Sequence, residues 1–173
     1  QVEVPHEGLG SRTVDIIEGN DRLFGALKAD IERLKPAFIY ERLTAGSWLG
    51  ARFSRAFQIP YVVEYNGSES AMRRSFGAER DVFEPELHLI EGLAFDQATL
   101  ISVVSTHVKN DLLQRGVAES RILVNPNGAD PELYRPATSS ERAQTRAELS
   151  LPLDAVVIGF SGTFGGWHGV DLL

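Results

Sequence analysis

The sequence predicts an α/β fold organised as a doubly wound parallel sheet. Three observations carry this. Short β-rich runs alternate with longer amphipathic segments along most of the chain. Strand, helix, strand, helix in that rhythm gives a parallel sheet covered on both faces. Hydrophobic residues make up 43% and charged residues 24%, enough apolar material for a real core.

The elements follow in order. Asn20 or Asp21 can cap a first helix carrying Leu23, Phe24, Leu27, Ile31 and Leu34 at helical spacing, closed by Pro36. Residues 37–40 form a short apolar run that reads as a buried strand. Ser47 can cap a second helix reaching Phe57, and Ile59-Pro60 ends it before a strand at 61–65. Residues 66–80 have weak periodicity and read as a long loop. Pro85 suits the first turn of a helix to Gln97, with Leu87, Ile90, Leu93 and Ala94 inward. A β-branched run at 100–104 follows. Ser105 then caps a helix with Val108, Leu112 and Leu113, which closes on Gly116 in the left-handed region. Residues 122–124 form another strand, ending in Asn125-Pro126-Asn127-Gly128. The stretch 129–154 is polar, with one helix behind a capping box at Thr138 and Glu141. Residues 155–160 read as a last strand, and glycine-rich 161–169 leads into a final helix.

Composition narrows the function. A net charge of −7 without a basic stripe disfavours nucleic acid as a partner, because phosphate backbones are held by Lys and Arg. There is no cysteine, which excludes disulfides and thiolate metal sites and fits a reducing, cytoplasmic setting. No apolar run approaches the roughly 20 residues that span a bilayer. No basic amphipathic face supports membrane contact. The first ten residues are polar and acidic, unlike a secretory signal. The chain starts without methionine and stops in what reads as the first turn of a helix, so both ends are expected to be cut.

Ligands of such sheets bind beyond the carboxyl ends of the strands. That directs attention to Glu41, Arg42, Asn66, Gly67, Ser105, Asn127, Gly128 and residues 162–169. In the last of these, four glycines between a strand and a helix make a turn whose N–H groups can face a diphosphate, with Thr163 and His168 as further donors. A glycine-rich turn that binds nothing reads equally well. The dinucleotide fingerprint is not matched, which disfavours NAD. His6 and His88 lack metal-ligand partners at useful spacing, and His107 falls on a helix surface. No D-x-D is present.

The same segments resemble GT-B-fold retaining glycosyltransferases of family 4. Gly159, Gly162, Gly169 and Leu173 fit the opening of that family's second domain. Thr163 stands where an arginine is usual, and His168 where a lysine is usual. Asn127, Gly128, Asp130 and Pro136 match the family's strand-end turn, with Ala129 and Tyr134 as conservative replacements. Tyr40-Glu41-Arg42 and the run Glu64-Tyr65-Asn66-Gly67-Ser68-Glu69 match motifs at earlier strand ends.

The resemblance implies a Rossmann-like GT-B fold truncated at both ends. Residues 1–136 would be part of an acceptor-side domain, 137–154 a linker region, and 155–173 the start of a nucleotide-sugar-binding domain. It assigns the donor to Gly162, Thr163, Phe164, Gly165, Gly166, His168 and Gly169. The acceptor side of the cleft falls to Glu41, Arg42, Asn66, Glu69, Ser105, Asn127 and Gly128. The implied reaction moves a sugar from a nucleotide sugar to a polysaccharide or lipid-linked glycan precursor, with retention. The nucleotide sugar is a substrate, and neither a cofactor nor a metal is expected. The catalytic residues stay unassigned, and the segment alone is expected to be inactive. A nucleotide-sugar epimerase of the same fold and a non-catalytic nucleotide or sugar-phosphate binding module are the competing readings.

Overall fold

A computed structural model describes residues 9–75, 77, 81–162, 164 and 168–172. The chain divides into two compact units, residues 1–126 with 165–173, and residues 127–164.

The first unit is built on four parallel strands in the order β1 (Ile39–Arg42), β2 (Tyr61–Tyr65), β3 (Leu100–Val103), β4 (Ile122–Val124). Side chains alternate across a strand. Tyr61, Val63 and Tyr65 of β2 therefore share one face with Ile101 and Val103 of β3, and all five are buried. They pack with Ala51 of α2 (Leu49–Phe57), Ala94 and Phe95 of α4 (Glu84–Gln97) and Leu112 of α5 (Thr106–Gln114). The Tyr65 and Phe95 rings meet edge to face, with centroids 4.9 Å apart.

The parallel, Rossmann-like α/β class is what the sequence predicts. Right-handed crossovers that always step the same way place their helices on one side of the sheet. The order β1 to β4 never reverses among the described strands. The other face keeps Tyr40 56% and Leu123 49% exposed.

Helix α1 spans Leu9–Leu34, so Asn20 and Asp21 lie in mid-helix and cap nothing. Asn20 is buried there. Its amide nitrogen donates to the carbonyls of Ile16 and Gly46 at 2.9 Å, and its oxygen accepts from the Trp48 N–H at 3.0 Å. Phe24 stacks on Phe53 of α2 at 4.7 Å. Leu23, Leu27 and Leu34 stay exposed, because α1 packs on α2 rather than on the sheet. Arg52 lies over the rings of Phe24 and Trp48 and pairs with Asp21.

Three further expectations are corrected in this unit. Ser47 does not cap α2, whose N-cap position is Trp48 without a side-chain bond. Residues 66–80 contain α3 (Glu69–Ser75), with Ser68 Oγ accepting from the Ala71 N–H at 3.3 Å. Seven residues are too few for a periodic apolar signal. On α4, Leu93 faces outward, and the buried stripe is Glu84, Leu87, Glu91, Ala94 and Phe95. Two glutamates can occupy a buried stripe because Arg74 pairs with Glu84 and Arg115 with Glu91. The α5 cap at Ser105 and the left-handed Gly116 (φ +85°) are as the sequence predicts, although Leu113 stays partly exposed.

The second unit contains α6 (Ser139–Glu148), which begins in the predicted capping box. Arg135 grips the Glu141 carboxylate with two hydrogen bonds, at 2.7 and 3.0 Å. Residues 155–160 are not a strand, and Val156 is 91% exposed. A strand exists only beside another, and no described residues pair with this one. In place of the expected final helix, Val170–Leu172 forms a short 3₁₀ turn of the first unit.

Candidate functional site

The carboxyl ends of β1 and β2 carry a dense set of polar side chains. Glu41 and Arg42 are neighbours on β1 and point to opposite faces, so they form no ion pair with each other.

Glu41 turns toward α2. Its carboxylate accepts from the Ser47 hydroxyl, from the Tyr61 hydroxyl and from the Gly50 N–H at 3.0 Å. It therefore supplies the N-terminal cap that Ser47 does not, with its charge at the favourable end of the helix. A Cβ on Gly50 would sit 2.4 Å from both Glu41 Oε2 and Tyr61 Cε2, so only glycine fits there. Burial, and then the charge of Glu41, push the Tyr61 phenol far above its ordinary range and keep it a neutral donor.

Arg42 turns the other way, where Glu64 of β2 lies opposite in register. Glu64 accepts from the Tyr40 hydroxyl at 2.6 Å and from the Asn66 amide at 3.1 Å, and Arg42 Nε stands 3.8 Å away. The Tyr40 bond above all, then Asn66, holds the Glu64 carboxyl below the usual range, with a smaller contribution from Arg42. The same bond raises the Tyr40 phenol. Two expected site residues, Arg42 and Asn66, are thus joined through Glu64. Glu64 was not among the expected site residues. Alternation puts residues 40 and 42 on one face, and only the pairing of β1 with β2 brings residue 64 beside them.

Glu69, at the start of α3, accepts from the Ala45 N–H at 2.8 Å and lies 4.0 Å from Arg73. Ser105, past β3, uses its hydroxyl as the α5 cap, accepting from the Val108 N–H at 3.3 Å. Asn127 and Gly128 belong to the second unit and are exposed. Farther along that unit, Asp130 accepts from the Glu132 N–H at 2.9 Å in a local turn. On α4, His88 stands 3.6 Å from Glu84 and 3.5 Å from Glu91.

Of the expected donor residues, Thr163, Gly165 and Gly166 lie outside the described residues. Gly162 and Phe164 are exposed, and the Phe164 ring lies 5.2 Å from that of Phe160. His168 is exposed, and Gly169 adopts φ +62°. Among the described residues no group of three or more His, Asp or Glu side chains could hold a metal ion, and no helix is long and apolar enough to cross a membrane.

A four-stranded parallel sheet with helices between its strands defines a Rossmann-like α/β domain. Comparison with known proteins makes this specific. The model of Glycosyltransferase Family 4 matches residues 17–133, and the chain belongs to that family. It is 31% identical over 106 residues to a protein named D-inositol 3-phosphate glycosyltransferase from Corynebacterium glutamicum (strain R), covering 60% of this chain and 25% of that protein. The protein of the same name from Corynebacterium jeikeium (strain K411) is 28% identical over 140 residues, 78% of this chain and 33% of its own length. The chain thus spans a quarter to a third of these relatives. The family match takes in the whole sheet and stops before the glycine-rich segment 162–169.

Proposed function

We propose that this chain is the acceptor-side part of an enzyme that transfers a sugar from a nucleotide sugar to a glycan or lipid-linked glycan precursor, with retention. The observation that carries the reading is the family match over the sheet whose edge holds the Arg42–Glu64–Asn66 cluster. Carboxylate and amide groups suit the recognition of sugar hydroxyls, since they accept and donate in fixed directions.

In this reading residues 155–173 begin the donor-binding domain, and 162–169 cradle the diphosphate with backbone N–H groups. Rate enhancement comes mainly from stabilising the departing diphosphate. His168, standing where a lysine is usual, is a side-chain donor to the diphosphate in this reading. The reading needs no metal or cofactor, and the cysteine-free composition fits a cytoplasmic setting.

The names of the relatives favour a second acceptor, an inositol phosphate. Arg42 is 72% exposed and only loosely paired, so a phosphate can compete for it. The test is to supply the full-length protein with UDP- and GDP-sugars and either a lipid-linked glycan or inositol 3-phosphate. Release of nucleoside diphosphate that depends on one acceptor supports the reading and selects the acceptor. Epimerised donor without transfer indicates the epimerase, and binding without turnover indicates a binding module.

A further inference from the structure

The segment between β1 and α2, residues 43–48, is fastened by side chains from three other elements. Its Ala45 N–H is taken by Glu69 of α3 at 2.8 Å. Its Gly46 carbonyl and Trp48 N–H are both taken by Asn20 of α1, at 2.9 and 3.0 Å. Its Ser47 hydroxyl is taken by Glu41 of β1. The Leu43 N–H extends the sheet ladder to the Glu64 carbonyl at 2.9 Å, and the Ser47 N–H closes a turn on the Thr44 carbonyl at 3.0 Å. Gly46 sits at φ +81°, and a Cβ there would meet Ile16 of α1 at 3.1 Å and Leu87 of α4 at 3.3 Å. The loop base is therefore wedged between two helices while Thr44 stays exposed.

Asn is an unfavourable residue in mid-helix, because its side chain competes for backbone hydrogen bonds. Here that competing capacity is turned on another segment.

We propose that Asn20 and Glu69 are positioning residues that hold the 43–48 loop as a preformed wall of the acceptor site, presenting Thr44 to an acceptor hydroxyl. The proposal rests on reading the carboxyl edge of the sheet as the acceptor side. A wall already fixed loses little conformational freedom when substrate arrives, so its effect falls on acceptor binding and orientation.

The test uses the full-length protein in three variants. Glu69→Gln keeps an oxygen for the Ala45 N–H, Glu69→Ala removes it, and Thr44→Val removes the presented hydroxyl without touching the clamp. Glu69→Ala should raise the acceptor KM about tenfold and Glu69→Gln by no more than about twofold, with the donor KM unchanged in both. Hydrogen exchange at Ala45, whose N–H Glu69 holds, should quicken in Glu69→Ala alone, while Thr44→Val raises the acceptor KM with exchange unaltered. A loosened loop with an unmoved acceptor KM overturns the proposal. So does equal damage from Glu69→Gln and Glu69→Ala, which would place the Glu69 charge on the substrate itself. Wild-type protein that transfers to no acceptor overturns the acceptor reading beneath it, and the exchange data then still show separately whether Glu69 holds the loop.

Discussion

Residues 100–103 and 155–160 are similar in composition and differ in fate. Both are apolar runs rich in Val and Ile. The first is β3, hydrogen-bonded between β2 and β4, with Ile101 and Val103 fully buried. The second has no strand beside it among the described residues and leaves Ile158 76% exposed. β-propensity measures fit to a pleated, half-buried surface, so the same kind of sequence is a strand only where neighbours supply that surface.

The largest test of this contrast is truncation. Leu112→Ala or Phe95→Ala should lower the stability of the first unit by roughly 3–5 kcal/mol, whereas Ile158→Ala should change it by less than about 0.5 kcal/mol, as read from denaturant unfolding. A comparable loss at Ile158 would show that the second run is packed after all. Gly50→Ala comes next, because the added methyl has no room beside Tyr61 and Glu41. It should cost about 1–3 kcal/mol by overpacking, visible as a lower unfolding midpoint at unchanged slope. Asn20→Ala leaves the Trp48 N–H and Gly46 carbonyl without partners and should cost a similar 1–3 kcal/mol.

The smallest effect is in the second unit. Its exposed Glu141 carboxyl is drawn down to about 2, first by Arg135 and then by the Thr138 backbone and hydroxyl. A carboxyl lowered on folding contributes stability above its unfolded value, here about 4.5, and loses it as pH falls toward about 2. The α6 end should therefore loosen across that acid window, by an amount that salt diminishes. Chemical shifts of the Glu141 carboxyl and the α6 amides against pH check this, and Arg135→Ala should move the midpoint upward.

How much was legible in the sequence follows from the same contrast. The Ser105 cap, Gly116 and the Thr138–Glu141 capping box depend on neighbours close along the chain, and they were readable. Strands β2 to β4 were readable as apolar runs that find strands beside them, while the expected strand at 37–40 lies at 39–42. The start of α1 was not. A side chain good for capping, Asn20, is equally good for bonding a loop 26 residues away, and only the tertiary fold chooses between them. The sequence points to Glu41 as a cleft residue. It is the cap of a helix that begins eight residues later, which no local motif announces. The Glu64 hub is a register property, fixed when β1 and β2 align Arg42 with Glu64. Register is set between strands and is not written in either one alone.

If the sheet edge holds the acceptor as proposed, Asn66, bonded to Glu64 at 3.1 Å, is the most direct probe of it. Acceptor-dependent release of nucleoside diphosphate should be compared for wild type and Asn66→Ala in the full-length protein. The expected result is an acceptor KM raised about tenfold, with donor hydrolysis in the absence of acceptor unchanged. An Asn66→Ala enzyme that uses its acceptor as well as wild type does would contradict it.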